Sequence, residues 1–513
     1  MNEIELSLGG RRDLPMRICL IIPPSLFLMD ERVFISLGIL KVAAVLEISG
    51  LQVEVIDLSG VKNYEEAIYD YCIRRPEIKW FGITSTTPQF PATTKIVKTI
   101  RRNAPDAKII IGGPHATLVN AAYKLEKRLG KNGRAVKAIA RLQSLFDVIV
   151  AGDGEEAIFQ AFGQSAGAIV DADNTASPLF LTNRRLTELP FPARHLVDLE
   201  SYHYSIDGVP ATSLIAQLGC PFGCGFCGGR ESSALRKIRT RTSENIVSEI
   251  VHLHHTYGMN GFMLYDDELN VNRDMVTLMR LIAKTQQDLD VEWRLRGFIK
   301  SHLFTDEQAD VMYAAGFRWI LVGFESGSPE ILETINKRAT REENTRCLEI
   351  AHKHGLKVKA LMSIGHPGES PETIQASKDW LIQNRPDDFD VSIITPYPGT
   401  PYFDHAVMNK DGFWVYTSPK NGDQLLQVEV DYAEVESYYK GDPNGGYRSC
   451  VFTKDISADG LVSARNTLEK EVREILEVPY NVGAPSIQYE HSMGQHGFPS
   501  NILRTTDEVQ CVP

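Results

Sequence analysis

The chain has 513 residues, 43% of them hydrophobic and 23% charged. That is enough for roughly two to four globular domains with packed cores. Its formal net charge of −12 argues against a nucleic-acid backbone or an anionic membrane surface as the main partner, because both attract basic proteins. No stretch reaches the ~18 consecutive apolar residues of a membrane span.

The first part of the chain alternates strand-like and helix-like segments. This pattern predicts an α/β, doubly wound, Rossmann-like domain over residues 1–165. Ligands of such sheets bind beyond the carboxyl ends of the strands. Residues 166–205 are rich first in small polar residues and then in proline, so we interpret them as a connector. The predicted strands lie at 17–22, 51–58, 78–85, 107–113 and 146–152.

A second series of strand–helix units follows the connector. Six such units predict a partial (β/α)6 TIM-like barrel over residues 206–405, with active-site loops at the carboxyl ends of its strands. Residues 406–513 show little periodicity apart from a helical stretch at 457–477, and we expect a mostly helical or irregular region. The predicted barrel strands lie at 212–219, 261–267, 291–297, 318–326, 356–365 and 389–401.

Three of the eight cysteines lie in one short loop, directly after the first barrel strand. The segment LGCPFGCGFCGGR (218–230) places Cys220, Cys224 and Cys227 in a C-x3-C-x2-C array. Glycine and proline do not build a packed helix or strand, which argues against three core thiols. Zinc stays an alternative, but it prefers four ligands, whereas three thiolates suit a four-iron cluster with one open iron. The other five cysteines are scattered singly, which predicts a reducing cytoplasm.

The cysteine spacing, with Phe226 just before the last cysteine, resembles the radical SAM superfamily. The resemblance covers about residues 210–405. It implies a 4Fe-4S cluster on the three cysteines, with S-adenosylmethionine (SAM) chelating the open iron and yielding a 5′-deoxyadenosyl radical. Segments at later strand ends support it, namely YDDE (265–268), GFESGS (323–328), IGHPGES (364–370) and PYPGTP (396–401). The SAM-binding residues that it implies are Phe226, Asp266, Asp267, Glu325, Ser326, Gly365 and Glu369.

The domain that precedes the barrel looks like that of the cobalamin-binding radical SAM family. The resemblance rests on ITSTT (83–87), GGPHAT (112–117) and AGDGEE (151–156), each just past a strand end. Glycines at such places let the backbone approach a flat corrin. The cobalamin-binding residues that the resemblance implies are Thr84, Ser85, Thr86, Gly112, Gly113, His115, Gly152, Gly154 and Glu155.

Two departures bear on this interpretation. Cobalamin mutases carry a D-x-H-x-x-G motif whose histidine is the lower ligand of the cobalt. Here Ser59 stands two positions after Asp57, where that histidine would be, so this loop offers no such ligand. His115 is an alternative contact. GDGEEA (152–157) also fits a dinucleotide fingerprint, but it stands in the last βα turn and not in the first.

The family resemblance implies an enzyme that transfers a methyl group to an unactivated carbon of a small molecule. One SAM would methylate cobalamin, and a second would supply the radical that activates the substrate. It also implies an external one-electron donor such as flavodoxin or ferredoxin. Alternatives are a cobalamin-dependent cyclase or rearrangement enzyme and, from another class, a non-catalytic iron–sulfur sensor or electron carrier. The residues do not identify a catalytic side chain or the substrate.

Overall fold

The computed structural model describes residues 17–28, 31–439 and 447–478. Two parallel sheets follow each other along the chain, and a small antiparallel sheet comes after them. None of the helices in these ranges is long and apolar enough to cross a membrane.

The N-terminal sheet has six parallel strands in the order β2-β1-β3-β4-β5-β6. This confirms the doubly wound α/β domain. The sheet includes one strand more than predicted, because β6 lies in the segment that we assigned to the connector. The strands are β1 (Arg17–Ile22), β2 (Gln52–Asp57), β3 (Trp80–Thr84), β4 (Lys108–Gly112), β5 (Val148–Gly152) and β6 (Ala168–Ala172). The helices are α1 (Leu37–Ile48), α2 (Tyr64–Arg74), α3 (Phe90–Asn103), α4 (Pro114–Arg128), α5 (Arg134–Leu145), α6 (Gly154–Ala161) and α7 (Asn183–Glu188).

The second sheet has seven strands in the order β15-β14-β13-β12-β11-β8-β7. Six of them are parallel and β7 pairs antiparallel with β8, so the predicted six-unit partial barrel is confirmed. The strands of this part of the chain are β7 (Ser205–Ile206), β8 (Val209–Leu214), the small pair β9 (Gln217–Leu218) and β10 (Arg239–Thr240), β11 (Gly261–Leu264), β12 (Arg294–Ile299), β13 (Phe317–Glu325), β14 (Lys357–Ile364) and β15 (Asp388–Ile393). The helices are α8 (Ser233–Arg236), α9 (Ser243–Tyr257), α10 (Met275–Leu289), α11 (Asp306–Ala314), α12 (Pro329–Thr334), α13 (Arg341–Lys353) and α14 (Pro371–Asn384).

Alternation along the barrel strands separates an outer core from an inner wall. On β13, Ile320, Val322 and Phe324 pack with the helices, whereas Leu321 belongs to a separate inner cluster with Met263. Successive side chains of a strand point to opposite faces, which explains this division. The inner face therefore carries the residues that are available to a ligand.

The C-terminal part contains more strand than expected. The short helix α15 (Pro401–Asp404) leads into a four-stranded antiparallel sheet, and α16 (Ala458–Leu476) then packs on β15. We expected mostly helical or irregular structure, but strands of two to four residues carry too few positions for a readable alternation. The strands are β16 (Val407–Met408), β17 (Trp414–Thr417), β18 (Gln424–Gln427) and β19 (Val451–Phe452).

Candidate active site

The cysteine loop leaves β9 through a sharp turn at Gly219. Its φ of +87° favours glycine, and a Cβ there would lie 2.3 Å from the carbonyl oxygen of Lys237. Backbone hydrogen bonds then fix the loop, since the Cys220 amide donates to the Leu235 carbonyl at 3.0 Å. The Gly225 amide donates to the Ile335 carbonyl at 2.9 Å. The three thiols are thus presented by a shaped loop and not by a flexible linker.

The three thiols are close enough to affect one another electrostatically. Burial raises the pKa of Cys227 to about 12, and it also raises the pKa of Cys220. Within the ranges that the structure describes, no group of three His, Cys, Asp or Glu side chains is arranged to hold a single metal ion. A cubane cluster takes each thiolate at a different iron, so its ligands need not converge on one point. Three thiols on one loop fit that donor set, and iron would displace their protons on binding.

Asp266 braces the strand that leads into this loop. It is 2% exposed, and its Oδ1 accepts from the amides of Ala216 at 2.8 Å and Gln217 at 3.0 Å. Burial raises the pKa of Asp266 to about 7. Because this carboxyl is hydrogen-bonded to backbone amides, its effect on the site is to hold the segment before the cysteine loop in place.

Its neighbour Asp267 is exposed and lies within the field of Arg230. Tyr265, on the same strand end, is 39% exposed, yet burial raises its pKa to about 12. The carboxylate of Asp267 is close enough to Cys220 and Cys227 to affect both thiols electrostatically. Asp267 therefore stays our predicted partner of the SAM ammonium, as a charge-assisted hydrogen bond.

A buried hydrogen-bonded chain starts at Glu325, which ends β13 with a φ of +67°. Its Oε1 accepts from Lys337 Nζ at 2.9 Å, and its Oε2 accepts from Ser363 Oγ at 2.8 Å. Burial opposes ionisation, but Lys337 and Ser363 outweigh it and lower the pKa of Glu325. Burial lowers the pKa of His366 to about 4, so this ring is neutral. It donates from Nε2 to Ser363 Oγ at 2.8 Å and accepts at Nδ1 from the Tyr402 hydroxyl at 3.3 Å.

This chain reaches the cysteine loop. The ring of His366 lies 5.3 Å from that of Phe226, and a Cβ on Gly225 would lie 2.9 Å from Tyr402 Cε1. Phe226 is partly buried and packs against the barrel core. Its predicted contact with the adenine of SAM stays a prediction.

The remaining predicted SAM residues shape their own turns. Glu369 is 1% exposed and accepts from the Gly365 amide at 3.0 Å, and burial raises its pKa to about 7. The Ser326 hydroxyl lies 3.0 Å from that of Ser377 and accepts from the Ser328 amide at 3.1 Å. In this structure these side chains fix the loops at the ends of β13 and β14.

At the edge of the N-terminal sheet, the predicted cobalamin residues of β3 and β4 lie together. Gly113 has a φ of +86°, and a Cβ there would lie 2.5 Å from Thr84 Oγ1. The Ser85 carbonyl accepts from the His115 amide at 2.8 Å. His115 is 3% exposed, and burial lowers its pKa to about 3.

Part of this edge remains accessible. Thr86 is exposed, and a Cβ on Gly112 would meet nothing closer than the Val150 carbonyl oxygen at 3.9 Å. A side chain at Gly112 would thus meet no clash at its Cβ, and contact of this edge with a corrin stays a prediction.

The third segment, AGDGEE, makes contacts within and between domains. Asp153 forms a buried ion pair with Arg239 of the barrel domain. A Cβ on Gly152 would lie 2.5 Å from the Asp173 amide, and one on Gly154 would lie 3.0 Å from Val42 of α1. Burial raises the pKa of Glu155. Contact of Gly152, Gly154 and Glu155 with cobalamin stays a prediction.

The edges of the two sheets meet at α4. A Cβ on Gly399 would lie 2.9 Å from Leu118 Cδ2, and one on Gly228 would lie 3.2 Å from the same atom. The Gly229 amide donates to the Gly399 carbonyl at 2.9 Å. Helix α4, which begins inside GGPHAT, therefore packs directly on the cysteine loop, so the two sheet edges are adjacent.

Sequence reasoning did not select Lys337, Ser363, His366 or Tyr402 as site residues. His366 lies within IGHPGES, Ser363 and Tyr402 directly adjoin IGHPGES and PYPGTP, and Lys337 lies between α12 and α13. They meet because the carboxyl ends of the successive strands β13, β14 and β15 are neighbours in the barrel.

Comparison with known proteins agrees with this two-part site. Residues 31–130 match the family model of the B12 binding domain, and residues 214–381 match that of the radical SAM superfamily. An uncharacterized methyltransferase of Pyrococcus horikoshii is 28% identical over 340 residues, which cover 64% of this chain and 69% of the relative. An anaerobic magnesium-protoporphyrin IX monomethyl ester cyclase of Cereibacter sphaeroides is 25% identical over 335 residues. That match covers 62% of this chain but about half of the cyclase, 52% of its length.

A solved structure shares the fold over most of the chain. It is the radical S-adenosylmethionine methyltransferase TsrM from Kitasatospora setae, with cobalamin and a 4Fe-4S cluster bound. The TM-score is 0.63 at 19% identity, covering 89% of this chain and 91% of TsrM. A second TsrM structure contains a tryptophan substrate and a SAM analogue. With a B12-binding domain followed by a radical SAM domain, the chain belongs to the cobalamin-binding radical SAM family.

Proposed function

We propose that this protein is a cobalamin-dependent radical SAM methyltransferase that methylates an unactivated carbon of a small molecule. The observation that carries the proposal is the contact of Leu118 with Gly228 and Gly399. It brings the open edge of the B12-binding domain against the cysteine loop. A methyl donor and a radical source must both reach one substrate carbon, and this contact supports that arrangement.

When bound, the cluster supplies the electron that cleaves SAM, and the corrin supplies the methyl group. The protein's part is to bind, orient and exclude water. Cys220, Cys224 and Cys227 would hold the cluster, and Asp267 would pair with the SAM ammonium.

Other residues would hold the substrate and the corrin. Phe34 stacks on Tyr265 with ring centroids 5.3 Å apart, which provides an apolar wall for a substrate. The edge around Gly112 would support the corrin from the facing side.

The substrate class, electron donor and location are also part of the proposal. The tryptophan in the TsrM structure supports a small molecule as substrate. Because the radical reaction consumes an electron, we propose flavodoxin or ferredoxin as the donor. The seven described cysteines are all unpaired, which supports the reducing cytoplasm as the location.

The test is cofactor loading of the full chain under anaerobic conditions. We expect about four iron atoms and about one corrin per chain, bound to the same molecule. Iron without any corrin would reduce the proposal to a plain radical SAM enzyme, and corrin without iron would contradict the cluster assignment.

A cyclase is the second candidate, since the Cereibacter sphaeroides relative is one. The two differ in their products. Methylation must release S-adenosylhomocysteine, whereas ring formation need not.

A further inference from the structure

Arg230, three residues after the last cysteine, ties the two ends of the cysteine loop together. Its Nη1 donates to the carbonyl of Phe222, which lies between the first two cysteines. Its Nη2 donates to the carbonyl of Gly228, which follows the third, at 3.2 Å. Bridging these carbonyls holds the loop in its compact shape.

The same guanidinium group also contacts a cluster ligand. Arg230 Nη2 lies 3.6 Å from Cys227 Sγ, within the range of a hydrogen bond to sulfur. This contact places a full positive charge beside a ligand sulfur. Arginine stays charged in proteins, so this charge is present at every working pH.

Hydrogen bonds to the ligand sulfurs set the reduction potential of an iron–sulfur cluster, together with nearby charge. A cation that donates to a thiolate withdraws electron density from it. It favours the reduced cluster, which carries one more negative charge than the oxidised one.

We propose that Arg230 is a positioning residue that raises the reduction potential of the cluster through its contact with Cys227. The inference rests on the proposed function, since it requires the cluster. An external one-electron carrier loses one electron and the cluster gains it, while Arg230 keeps its protons. By this contact the enzyme eases the reduction that must precede SAM cleavage.

Arg236, the last residue of α8, is a matched control next to the same loop. Its Nη2 donates to the Pro221 carbonyl at 2.8 Å, and its Nη1 donates to the Arg230 carbonyl at 3.4 Å. Both of these bonds go to carbonyl oxygens and not to sulfur. Arg236→Gln therefore removes an equal charge near the cluster without removing a hydrogen bond to a ligand.

The experiment compares wild type, Arg230→Gln, Arg230→Lys and Arg236→Gln after anaerobic reconstitution. Iron content is measured first, and the midpoint potential then follows from a reductive titration monitored by electron paramagnetic resonance. We expect Arg230→Gln to disfavour reduction at least tenfold, a shift of about 59 mV to more negative potential for one electron. Arg230→Lys should shift less, because it keeps the charge, and Arg236→Gln should resemble wild type.

Equal potentials in wild type and Arg230→Gln at equal iron content would overturn the inference. An equal shift in Arg236→Gln would overturn it too, because general charge would then explain the effect. If Arg230→Gln retains no cluster, Arg230→Lys decides, and a wild-type potential there would leave Arg230 a purely structural role. Absence of a cluster from wild type would instead contradict the proposed function.

Discussion

Asp266 offers the sharpest test of how the cysteine loop is held. Its Oδ1 accepts from two backbone amides, of Ala216 and Gln217, while Oδ2 has no hydrogen-bond partner among the described residues. Asp266→Ala removes the acceptor, whereas Asp266→Asn keeps one oxygen in place and removes the ionisable group. Comparing the two variants separates the effect of the hydrogen bonds to the two amides from the effect of the ionisable carboxyl group.

The magnitudes follow from these contacts. A buried donor that loses its acceptor costs about 1–3 kcal/mol, so the alanine variant leaves two such amides and should lose about 2–6 kcal/mol. The pKa of Asp266 rises from 3.8 to about 7 on folding because of burial. Such a carboxyl stabilises the fold below its unfolded pKa, and this contribution is lost as pH rises through 7. Between pH 6 and 8 wild type should lose about 1.4 kcal/mol that the asparagine variant does not lose.

The assay is urea unfolding of the full chain at pH 6 and pH 8, followed by iron content after reconstitution. We expect Asp266→Ala to be less stable than Asp266→Asn at both pH values and to bind less iron. The stability of Asp266→Asn relative to wild type should improve from pH 6 to pH 8. Equal stability and equal iron content in the two variants would refute the role of the Asp266 hydrogen bonds in holding the loop. An unchanged stability difference between Asp266→Asn and wild type at the two pH values would refute the raised pKa of Asp266.

Three further changes probe the rest of the site. Alanine at any of the three loop cysteines should abolish cluster iron and SAM cleavage, whereas Cys72→Ala should leave the iron content unchanged; a variant of the loop that cleaves SAM at the wild-type rate would contradict the assignment. Gly112→Leu should weaken corrin binding, measured by absorbance titration, because the leucine side chain would occupy the predicted corrin site. The fold and the bound iron should be unaffected, because a Cβ there meets nothing within 3.8 Å and the backbone is unstrained. Unchanged affinity would show that this edge does not contact the corrin. Asp153→Asn should cost about 3–5 kcal/mol of stability in urea unfolding, since it leaves Arg239 buried and unpaired, and a loss below 1 kcal/mol would refute that role.

The fold was largely predictable because its strands are buried apolar runs separated by amphipathic helices. The exceptions have one cause. The strand β6 is five residues long and stands among small polar residues, and the C-terminal strands are shorter still. None of them is long enough to show a readable alternation of apolar and polar residues. Short pairing strands are set by tertiary contacts and not by local pattern.

The site was predictable only where its residues are neighbours in the chain. The cysteines share one loop, so their spacing alone indicates the chemistry. Glu325 and His366 meet through Ser363 across neighbouring strands, which no spacing rule shows. Asp266 and Asp267 are adjacent and alike in sequence, yet Asp266 is buried and Asp267 is exposed, a difference that the sequence does not show.

The most direct test of the central claim is one reaction in which both SAM-derived products are measured by mass spectrometry. The reconstituted enzyme is incubated anaerobically with SAM, a one-electron donor and a panel of candidate small molecules that includes tryptophan. We predict that 5′-deoxyadenosine and S-adenosylhomocysteine appear together with a methylated product, and that about one S-adenosylhomocysteine per chain appears with SAM and the electron donor when no candidate substrate is added. 5′-Deoxyadenosine and a substrate-derived product without any S-adenosylhomocysteine would contradict methyl transfer.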